Sequence, residues 1–285
     1  MTAHLRRVYL EATGVLALAS VVVAVAVALT TGSPGWLLAA LPGFVHLAYF
    51  ALLMVRGATR GKVERVAVPV VGLVALIGAV VLTGDALAGV VAAVPIAAWF
   101  GYDLWFTRQH RPAATIAVGE PLPEFPLTTP EGDEVTSEAF THRPHVILFI
   151  RGNWCPFCMA QVRSIAEQYR ELERRGVSIA FISPQSAEDT AELAERFEVP
   201  MAFYVDRDGR AAELLDLTQR GGRALAVSDR ASDGDDDGDT VVPTAVITDG
   251  DGRVVWVHHS EDHRVRPEPS TFLEVIDREG IAVAR

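Results

Sequence analysis

The sequence predicts a chain of two parts: an all-α unit of four membrane-length helices, followed by an α/β unit with a central mixed sheet flanked by helices. Three observations predict this. The first part contains four long apolar stretches, the second alternates strand-like and helix-like runs, and the charge divides between them. Residues 1–112 carry eight Lys/Arg and four Asp/Glu, a net +4, whereas residues 113–285 carry seventeen and thirty-two, a net −15. We therefore expect a membrane domain over 1–106, a linker over 107–119 and a soluble domain over 120–285.

The four apolar stretches are residues 8–30, 36–55, 66–82 and 86–106. Each is close to the roughly 20 residues that a helix needs to cross a hydrocarbon core. A cleaved signal peptide accounts only for the first stretch, and the run is too long for one. The sequence therefore predicts an integral membrane protein of the cell membrane.

The basic residues of the first part predict its orientation, because cytoplasmic connections retain Lys and Arg. They lie before the first span, between the second and third, and after the fourth: Arg6, Arg7, Arg56, Arg60, Lys62, Arg65, Arg108 and Arg111. The connections 31–35 and 83–85 contain no basic residue. We therefore expect both termini and the soluble domain to be cytoplasmic.

The soluble domain reads as strands alternating with helices. A nearly continuous apolar run, 145–150, predicts a strand buried on both faces, and 157–175 has helical periodicity. Further strands are predicted at 177–183, 201–205, 245–248 and 253–258, with helices at 187–197 and 270–277. This order predicts parallel βαβ units. The six aspartates of residues 228–240 predict a solvated acidic loop rather than a calcium site, because the closing Glu of a calcium loop is missing.

Both cysteines of the chain lie in the motif Trp154-Cys155-Pro156-Phe157-Cys158, between the predicted strand and the following helix. Two thiols at this spacing can close a small disulfide, and a sulfur at a helix N-terminus is favoured as thiolate. We expect Cys155 to be the nucleophile and Cys158 the resolving thiol. Pro156 fits the first helical turn, where its missing N–H costs nothing.

Two other interpretations of this motif are weaker. A zinc site needs four ligands, and only His258, His259 and His263 are available to complete one. A buried, inert cysteine pair is disfavoured by the aromatic residues and the proline around Cys155. We expect no cofactor and no metal ion.

Four short motifs accompany this order of elements: Phe149-Ile150-Arg151-Gly152-Asn153-Trp154-Cys155-Pro156-Phe157-Cys158, Ile182-Ser183-Pro184, Val242-Pro243-Thr244 and Arg266-Pro267-Glu268-Pro269. With these motifs, the order of elements resembles the thioredoxin fold and, more closely, the peroxiredoxin-like branch of the alkyl hydroperoxide reductase C/thiol-specific antioxidant (AhpC/TSA) family. The resemblance covers about residues 118–280.

The resemblance implies a thiol-dependent oxidoreductase with antioxidant activity. Its catalytic residues are then Cys155, Cys158, Arg151 and Trp154, and its substrate contacts are Val242, Pro243, Thr244, Pro156 and Phe157. It also implies that Pro243 is a cis-proline packed beside the disulfide.

The sequence departs from peroxide-reducing relatives near the reactive cysteine. Leu148 and Gly152 occupy the positions of a Pro and a Thr or Ser, and Pro243 stands where an Arg is usual. Arg151 is then the candidate to stabilise the thiolate. The buried Asp of thioredoxins is also replaced, by Phe149.

Three functions stay open on this basis. The first is an oxidoreductase anchored in the lipid bilayer that acts on a peroxide or a disulfide and is regenerated by a thioredoxin-like protein or a low-molecular-weight thiol. The second is a redox sensor or scaffold without catalytic turnover. The third is an electron conduit through a quinone or haem at His46, the ionisable residue deepest in a predicted span. We expect no nucleic-acid partner.

Overall fold

The computed structural model describes residues 2–56, 62–108, 115–223 and 238–281, which divide into two compact units. One unit lies within residues 2–108 and the other within the remaining described residues. The central part of the predicted linker, 109–114, and most of the predicted acidic loop, 228–237, lie outside the described residues.

The first unit is made of long helices: α1 (Thr2–Thr31), α2 (Gly35–Arg56), α3 (Lys62–Thr83) and α4 (Ala86–Gly101). A π-helical turn, Tyr102–Phe106, continues α4. All four helices are long and apolar enough to cross a membrane. The helices predicted from the four apolar stretches are therefore confirmed.

Packing in this unit is inverted relative to a water-soluble bundle. Small residues fill the interior, where Ala24, Ala39, Ala79 and Ala92 are fully buried. The outward-facing side chains are large and apolar: Val15, Leu16, Leu29, Leu52, Val70, Leu73, Val81, Leu87 and Leu104. Small residues allow helix backbones to approach closely, and this distribution is typical of helices surrounded by lipid.

The described helix ends of this unit meet at two opposite ends. At one end, the start of α2 meets the end of α3, where a Cβ placed on Gly35 would lie 2.6 Å from Cγ2 of Thr83. At the other end, Arg6 donates to the carbonyls of Trp105 and Phe106, and Arg65 forms an ion pair of 3.0 Å with Asp103. Arg6 and Arg65 thus lie at the same end of the helices.

His46 lies inside the first unit, at 1% exposure. Its ring packs against Phe50 and Trp99 at centroid distances of 5.1 and 6.5 Å. It also faces a narrow cavity lined by the three helix prolines, Pro42, Pro69 and Pro95.

The second unit is an α/β domain. Its strands are β1 (Pro126–Thr128), β2 (Glu134–Thr136), β3 (His145–Phe149), β4 (Ser178–Ser183), β5 (Ala202–Val205), β6 (Thr218–Gln219), β7 (Thr240–Val241), β8 (Thr244–Thr248) and β9 (Val254–His259). Its helices are α5 (Pro156–Glu167), α6 (Tyr169–Arg174), α7 (Ala187–Glu195), α8 (Arg210–Leu214) and α9 (Pro269–Glu279), with a 3-10 turn at Ser137–Phe140.

The main sheet has the order β2-β1-β5-β4-β3-β8-β9, and β6 pairs with β7 separately. Strands β3, β4 and β5 are parallel, whereas β8 and β9 are antiparallel to their neighbours. The crossovers α5–α6 and α7 make the parallel pairs, as the alternating sequence predicts. The predicted thioredoxin-like fold with a central mixed sheet is therefore confirmed.

β3 positions the cysteine motif at the middle of this sheet. All five of its residues are buried, and Phe149 lies between Ile182 of β4 and Thr244 of β8. The N–H of Ile150 still bonds to the carbonyl of Ile182 at 2.8 Å, so the chain leaves the sheet only after that residue.

The segment predicted as one helix over 157–175 is instead two helices. Gln168 leaves the helical region, with φ −105° and ψ 11°, and its N–H bonds to Ile165 three residues back. Apolar periodicity continues through this break, because Ile165 and Leu172 are both fully buried. Periodicity reports the buried face, and it cannot locate a one-residue interruption of the backbone.

Candidate active site

The two cysteines lie at the start of α5. Cys155 is the N-cap, and Pro156 is the first helical residue. The N–H of Cys158 donates to Sγ of Cys155 at 3.3 Å, and the two Sγ atoms of these free thiols lie 2.7 Å apart. A sulfur thus takes the place of the oxygen that usually caps a helix. The pair is close enough to share one proton.

Both thiols are buried. Cys155 is 1% exposed and Cys158 is 0% exposed. A substrate therefore reaches either sulfur only after a local movement of the surrounding chain.

The electrostatics of the two sulfurs differ. Burial, together with the neighbouring Cys158, raises the pKa of the Cys155 thiol well above its ordinary value. Burial also opposes ionisation of Cys158, but the hydrogen bond with Cys155 and the charge of Arg266 lower the pKa of Cys158 to about 6. Two charges at this separation repel strongly, so one sulfur ionises and the other keeps its proton.

Arg266 supplies the positive charge closest to the pair. Its Nη2 lies 3.7 Å from Sγ of Cys158, and the residue is 3% exposed. The loop that carries it is held against α5 on both sides of Cys158. Gln161 donates to the carbonyl of Pro267 at 3.4 Å, and the rings of Phe157 and His263 meet edge to face at 5.4 Å.

These contacts differ from the charge distribution that helix capping alone predicts. The guanidinium favours a thiolate on Cys158 over one on Cys155, because Cys158 is the sulfur beside it. Sequence reasoning also misses Arg266 as a site residue. The signal is present in the Arg266-Pro267-Glu268-Pro269 motif, but 108 positions separate Arg266 from Cys158 and only the fold brings them together.

Arg151 lies in the site, but its guanidinium contacts Trp154 and Gly222. Its side chain is 5% exposed, stacks over the ring of Trp154 at 5.1 Å and donates a hydrogen bond to the carbonyl of Gly222. Its charge is a smaller influence on both sulfurs than that of Arg266. Its backbone N–H contributes separately, by a hydrogen bond that favours the Cys158 thiolate. The structure thus brings Arg151 and Trp154 together as a stacked pair beside the cysteines.

The loop before Cys155 has a backbone that favours glycine. Gly152 has φ +134°, and a Cβ there would lie 2.8 Å from Nε1 of Trp154 and 3.0 Å from Oε1 of Gln185. The same oxygen of Gln185 accepts the N–H of Asn153 at 2.7 Å. Gln185 is a second residue that sequence reasoning misses. It follows β4 as Asn153 follows β3, and the parallel pairing brings the two strand ends together.

Val242, Pro243 and Thr244 are buried at the junction of β7 and β8. The Val242–Pro243 bond is trans, so the expected cis-proline is wrong. Trans is the ground state of such bonds by about 0.5–1 kcal/mol. Two hydrogen bonds hold the chain on either side of this trans bond. The N–H of Ser260 donates to the carbonyl of Pro243, and the hydroxyl of Thr244 donates to the carbonyl of Val242.

The histidines of this region do not gather into a metal site. Within the described parts of the chain, no group of three or more His, Cys, Asp or Glu residues is placed to hold a metal ion. His259 instead pairs with the hydroxyl of Thr244 at 3.0 Å, and His263 packs on Phe157.

Comparison with known families agrees with this geometry. Residues 118–257 match the model of the AhpC/TSA family. This segment is a peroxiredoxin-like AhpC/TSA domain. The match begins at the end of the predicted linker and includes both cysteines, but it ends before Arg266.

The relatives of the AhpC/TSA domain are distant. A chloroplastic peroxiredoxin Q of Sedum lineare is 24% identical over 103 residues, which are 36% of this chain and 55% of that protein. A putative peroxiredoxin bcp of Helicobacter pylori is 23% identical over 99 residues, 35% of this chain and 65% of that protein. The chain thus spans between about half and two thirds of the length of these curated relatives.

Solved structures similar to the AhpC/TSA domain include reduced Prx3 of Vibrio vulnificus in complex with hydrogen peroxide. It is 20% identical, with a TM-score of 0.45 and coverage of 58% of this chain and 98% of that one. Peroxidoxin BcpB of Mycobacterium tuberculosis is 19% identical, with a TM-score of 0.43 and coverage of 56% and 94%.

Proposed function

We propose that this protein is a membrane-anchored, thiol-dependent oxidoreductase that cycles between the Cys155–Cys158 dithiol and its disulfide. The observation that carries the proposal is the pair of sulfurs 2.7 Å apart at a helix start, with the guanidinium of Arg266 beside one of them. This arrangement lowers the pKa of one thiol and places its partner within bonding reach.

Cys155 is the attacking sulfur in this proposal, although the resting charge lies on Cys158. Cys155 caps the helix at its mouth, whereas Cys158 lies one turn further in. The hydrogen bond between them lets the proton pass from Cys155 to Cys158 as the substrate arrives. The new Cys155 thiolate is then stabilised by the N–H of Cys158, which already points at it.

The reaction balances with either of two oxidants. With a hydroperoxide, the Cys155 thiolate takes one oxygen and a proton is consumed, giving a sulfenic acid and an alcohol. The Cys158 thiol then displaces water to form the disulfide. With a disulfide substrate, Cys155 forms a mixed disulfide that Cys158 resolves. In both cases, two equivalents of an external thiol restore the reduced pair and leave as one disulfide.

Two activities of the full-length protein, measured side by side, show which oxidant it uses. Peroxiredoxin relatives favour the hydroperoxide, and the Cys-x-x-Cys spacing favours the disulfide. Hydroperoxide consumption and reduction of insulin disulfides would be measured with the same thiol reductant. Activity in one assay alone identifies the oxidant, and inactivity in both contradicts the proposal.

The roles of the cysteines are tested by substitution. Cys158→Ser should accumulate a mixed disulfide, or a sulfenic acid, on Cys155, because the resolving thiol is gone. Cys155→Ser should form neither at a comparable rate. Full turnover by Cys155→Ser would show that the attacking residue is misassigned.

A redox sensor is the second candidate, and the burial of both thiols favours it. At 1% and 0% exposure, neither sulfur is open to solvent in the reduced form. The sensor predicts one round of oxidation per protein, with no continued consumption of oxidant when reductant is added. Sustained turnover excludes it.

We further propose that α1 to α4 anchor the protein in the membrane, with the AhpC/TSA domain on the cytoplasmic side. The large apolar side chains that face outward support the anchor, and the position of Arg6 and Arg65 at one end of the helices supports the orientation. Thr31→Cys and Glu131→Cys, each in a chain lacking Cys155 and Cys158, place a thiol at an exposed position. The proposed topology puts these two positions on opposite sides of the membrane. A membrane-impermeant maleimide should label Thr31→Cys in intact cells and Glu131→Cys only after permeabilisation. The reverse pattern contradicts the orientation.

A further inference from the structure

Arg266 has more hydrogen-bonding capacity than the cysteine pair uses. Its Nη2 faces Sγ of Cys158, but its Nε and Nη1 are buried and have no hydrogen-bond partner within the described residues. A buried guanidinium with unused donors is costly, because the protein has removed the water that would satisfy them.

Two further buried polar atoms lack a partner in the described chain, and both lie at the end of β9, the strand that leads into the loop of Arg266. They are Oγ of Ser260, on a residue that is 2% exposed, and Nε2 of His258. Burial, and then the positive charge of Arg266, lower the pKa of His258, so its ring is neutral at physiological pH and can donate or accept. His258, Ser260 and Arg266, at the end of β9 and in the loop that follows it, thus all carry buried polar atoms without a partner in the described chain. Such a set of atoms indicates a binding site for a ligand.

The charge of this site changes with the redox state of the cysteines. In the reduced pair, the Cys158 thiolate balances the guanidinium of Arg266. Oxidation removes that negative charge, since Cys158 thiolate and Cys155 thiol become a neutral disulfide with loss of one proton and two electrons. Arg266 is then a buried cation without an ion-pair partner among the residues that the structure describes, a state that is strongly unfavourable.

Resting on the proposed dithiol–disulfide cycle, we propose that Arg266, Ser260 and His258 form a binding site for one small carboxylate, occupied when Cys155 and Cys158 are oxidised. A single negative charge restores neutrality, whereas a doubly charged anion overcompensates it. A carboxylate also matches the flat hydrogen-bond geometry of a guanidinium. The hydroxyl of Ser260 offers a further donor to the second oxygen.

This site couples ligand binding to the redox equilibrium. A ligand that binds the oxidised form in preference stabilises it and favours oxidation, and oxidation raises the affinity for the ligand by the same factor. In the reduced form, the Cys158 thiolate repels the ligand. The anion concentration around the domain therefore sets how readily the disulfide forms.

The test is the midpoint potential of the cysteine pair in the full-length, detergent-solubilised protein. The protein would be equilibrated in thiol–disulfide buffers, and free thiols counted by alkylation and mass spectrometry. Acetate is the probe, with a bulky aryl sulfonate keeping the ionic strength constant. Above the dissociation constant, each tenfold rise in acetate should shift the oxidation equilibrium tenfold, which lowers the midpoint potential by about 30 mV for a two-electron couple.

Variants show whether Arg266 is responsible. Arg266→Gln should abolish the acetate dependence, and Arg266→Lys should retain part of it because the charge remains. Arg278→Gln, which removes an exposed arginine paired with Glu279, is the matched control and should behave as wild type. If Arg266→Gln fails to fold, the acetate series on the wild-type protein still decides the question.

The outcomes separate this inference from the proposed function. A disulfide whose midpoint potential does not respond to acetate overturns the carboxylate site alone, as does an Arg266→Gln variant that keeps the response. A pair that never forms a disulfide in any buffer overturns the oxidoreductase and the site together.

Discussion

Nη2 of Arg266 lies 3.7 Å from Sγ of Cys158, across 108 positions of sequence. The contact joins the first turn of α5 to the loop before α9, and it accounts for the uneven sharing of charge between two thiols that sit side by side. The hydrogen bond with Cys155 and the charge of Arg266 lower the pKa of Cys158, whereas burial raises the pKa of Cys155.

The first prediction concerns the pH dependence of the reduced pair. As pH rises through about 6, Cys158 should lose its proton, and thiolate absorbance in the ultraviolet should increase by one thiolate per protein. The second thiol should ionise only well above the ordinary cysteine value, because burial and the first charge raise its pKa. Cys158→Ser should remove the low step. Two thiols titrating together near the ordinary value would contradict this account.

The second prediction concerns Arg266. Arg266→Gln removes the nearest cation, so the pKa of Cys158 should rise and less thiolate should be present at neutral pH. Arg266→Lys should give an intermediate pKa, because the charge is kept without the planar geometry. The same absorbance titration measures both, and Arg278→Gln again serves as the control. An unchanged low step in Arg266→Gln would mean that another group stabilises the thiolate.

The third prediction concerns the backbone before Cys155. Gly152→Ala places a Cβ 2.8 Å from Trp154 and 3.0 Å from Gln185, at a φ of +134° that alanine rarely adopts. We expect this change to destabilise the folded state by about 1–3 kcal/mol. Circular dichroism during thermal unfolding of the detergent-solubilised protein would measure a lower midpoint.

Gly132→Ala is the matched control for that substitution. Gly132 also has positive φ, +97°, but a Cβ placed there would have no heavy atom within 4 Å beyond its chain neighbours. Both variants therefore carry backbone strain, and only Gly152→Ala carries the steric clash. Equal losses in the two variants would show that the contacts with Trp154 and Gln185 do not matter.

Much of the fold could be predicted from local sequence. The apolar run of β3 required burial on both faces, and all five of its residues are buried. The placement of Pro156 in the first helical turn followed from the stereochemistry of proline. These features depend on a residue and its immediate neighbours, which is why sequence patterns report them.

The missed features are those that depend on contacts distant in sequence. Helix capping favours a thiolate on Cys155, but the fold places the strongest positive charge beside Cys158. The isomer of the bond before Pro243 was expected only from a family resemblance. The strand junction around it, with hydrogen bonds from Ser260 and from the hydroxyl of Thr244, is not visible in the sequence.

The most direct test of the central claim is a count of free thiols in a single round of oxidation. The reduced full-length protein would receive one equivalent of hydroperoxide or of a small disulfide, and then be alkylated and analysed by peptide mass spectrometry. The account predicts that free thiols fall from two to zero and that one peptide carries a Cys155–Cys158 disulfide, which added thiol reductant reopens. Two thiols that remain free and unmodified with both oxidants would contradict it.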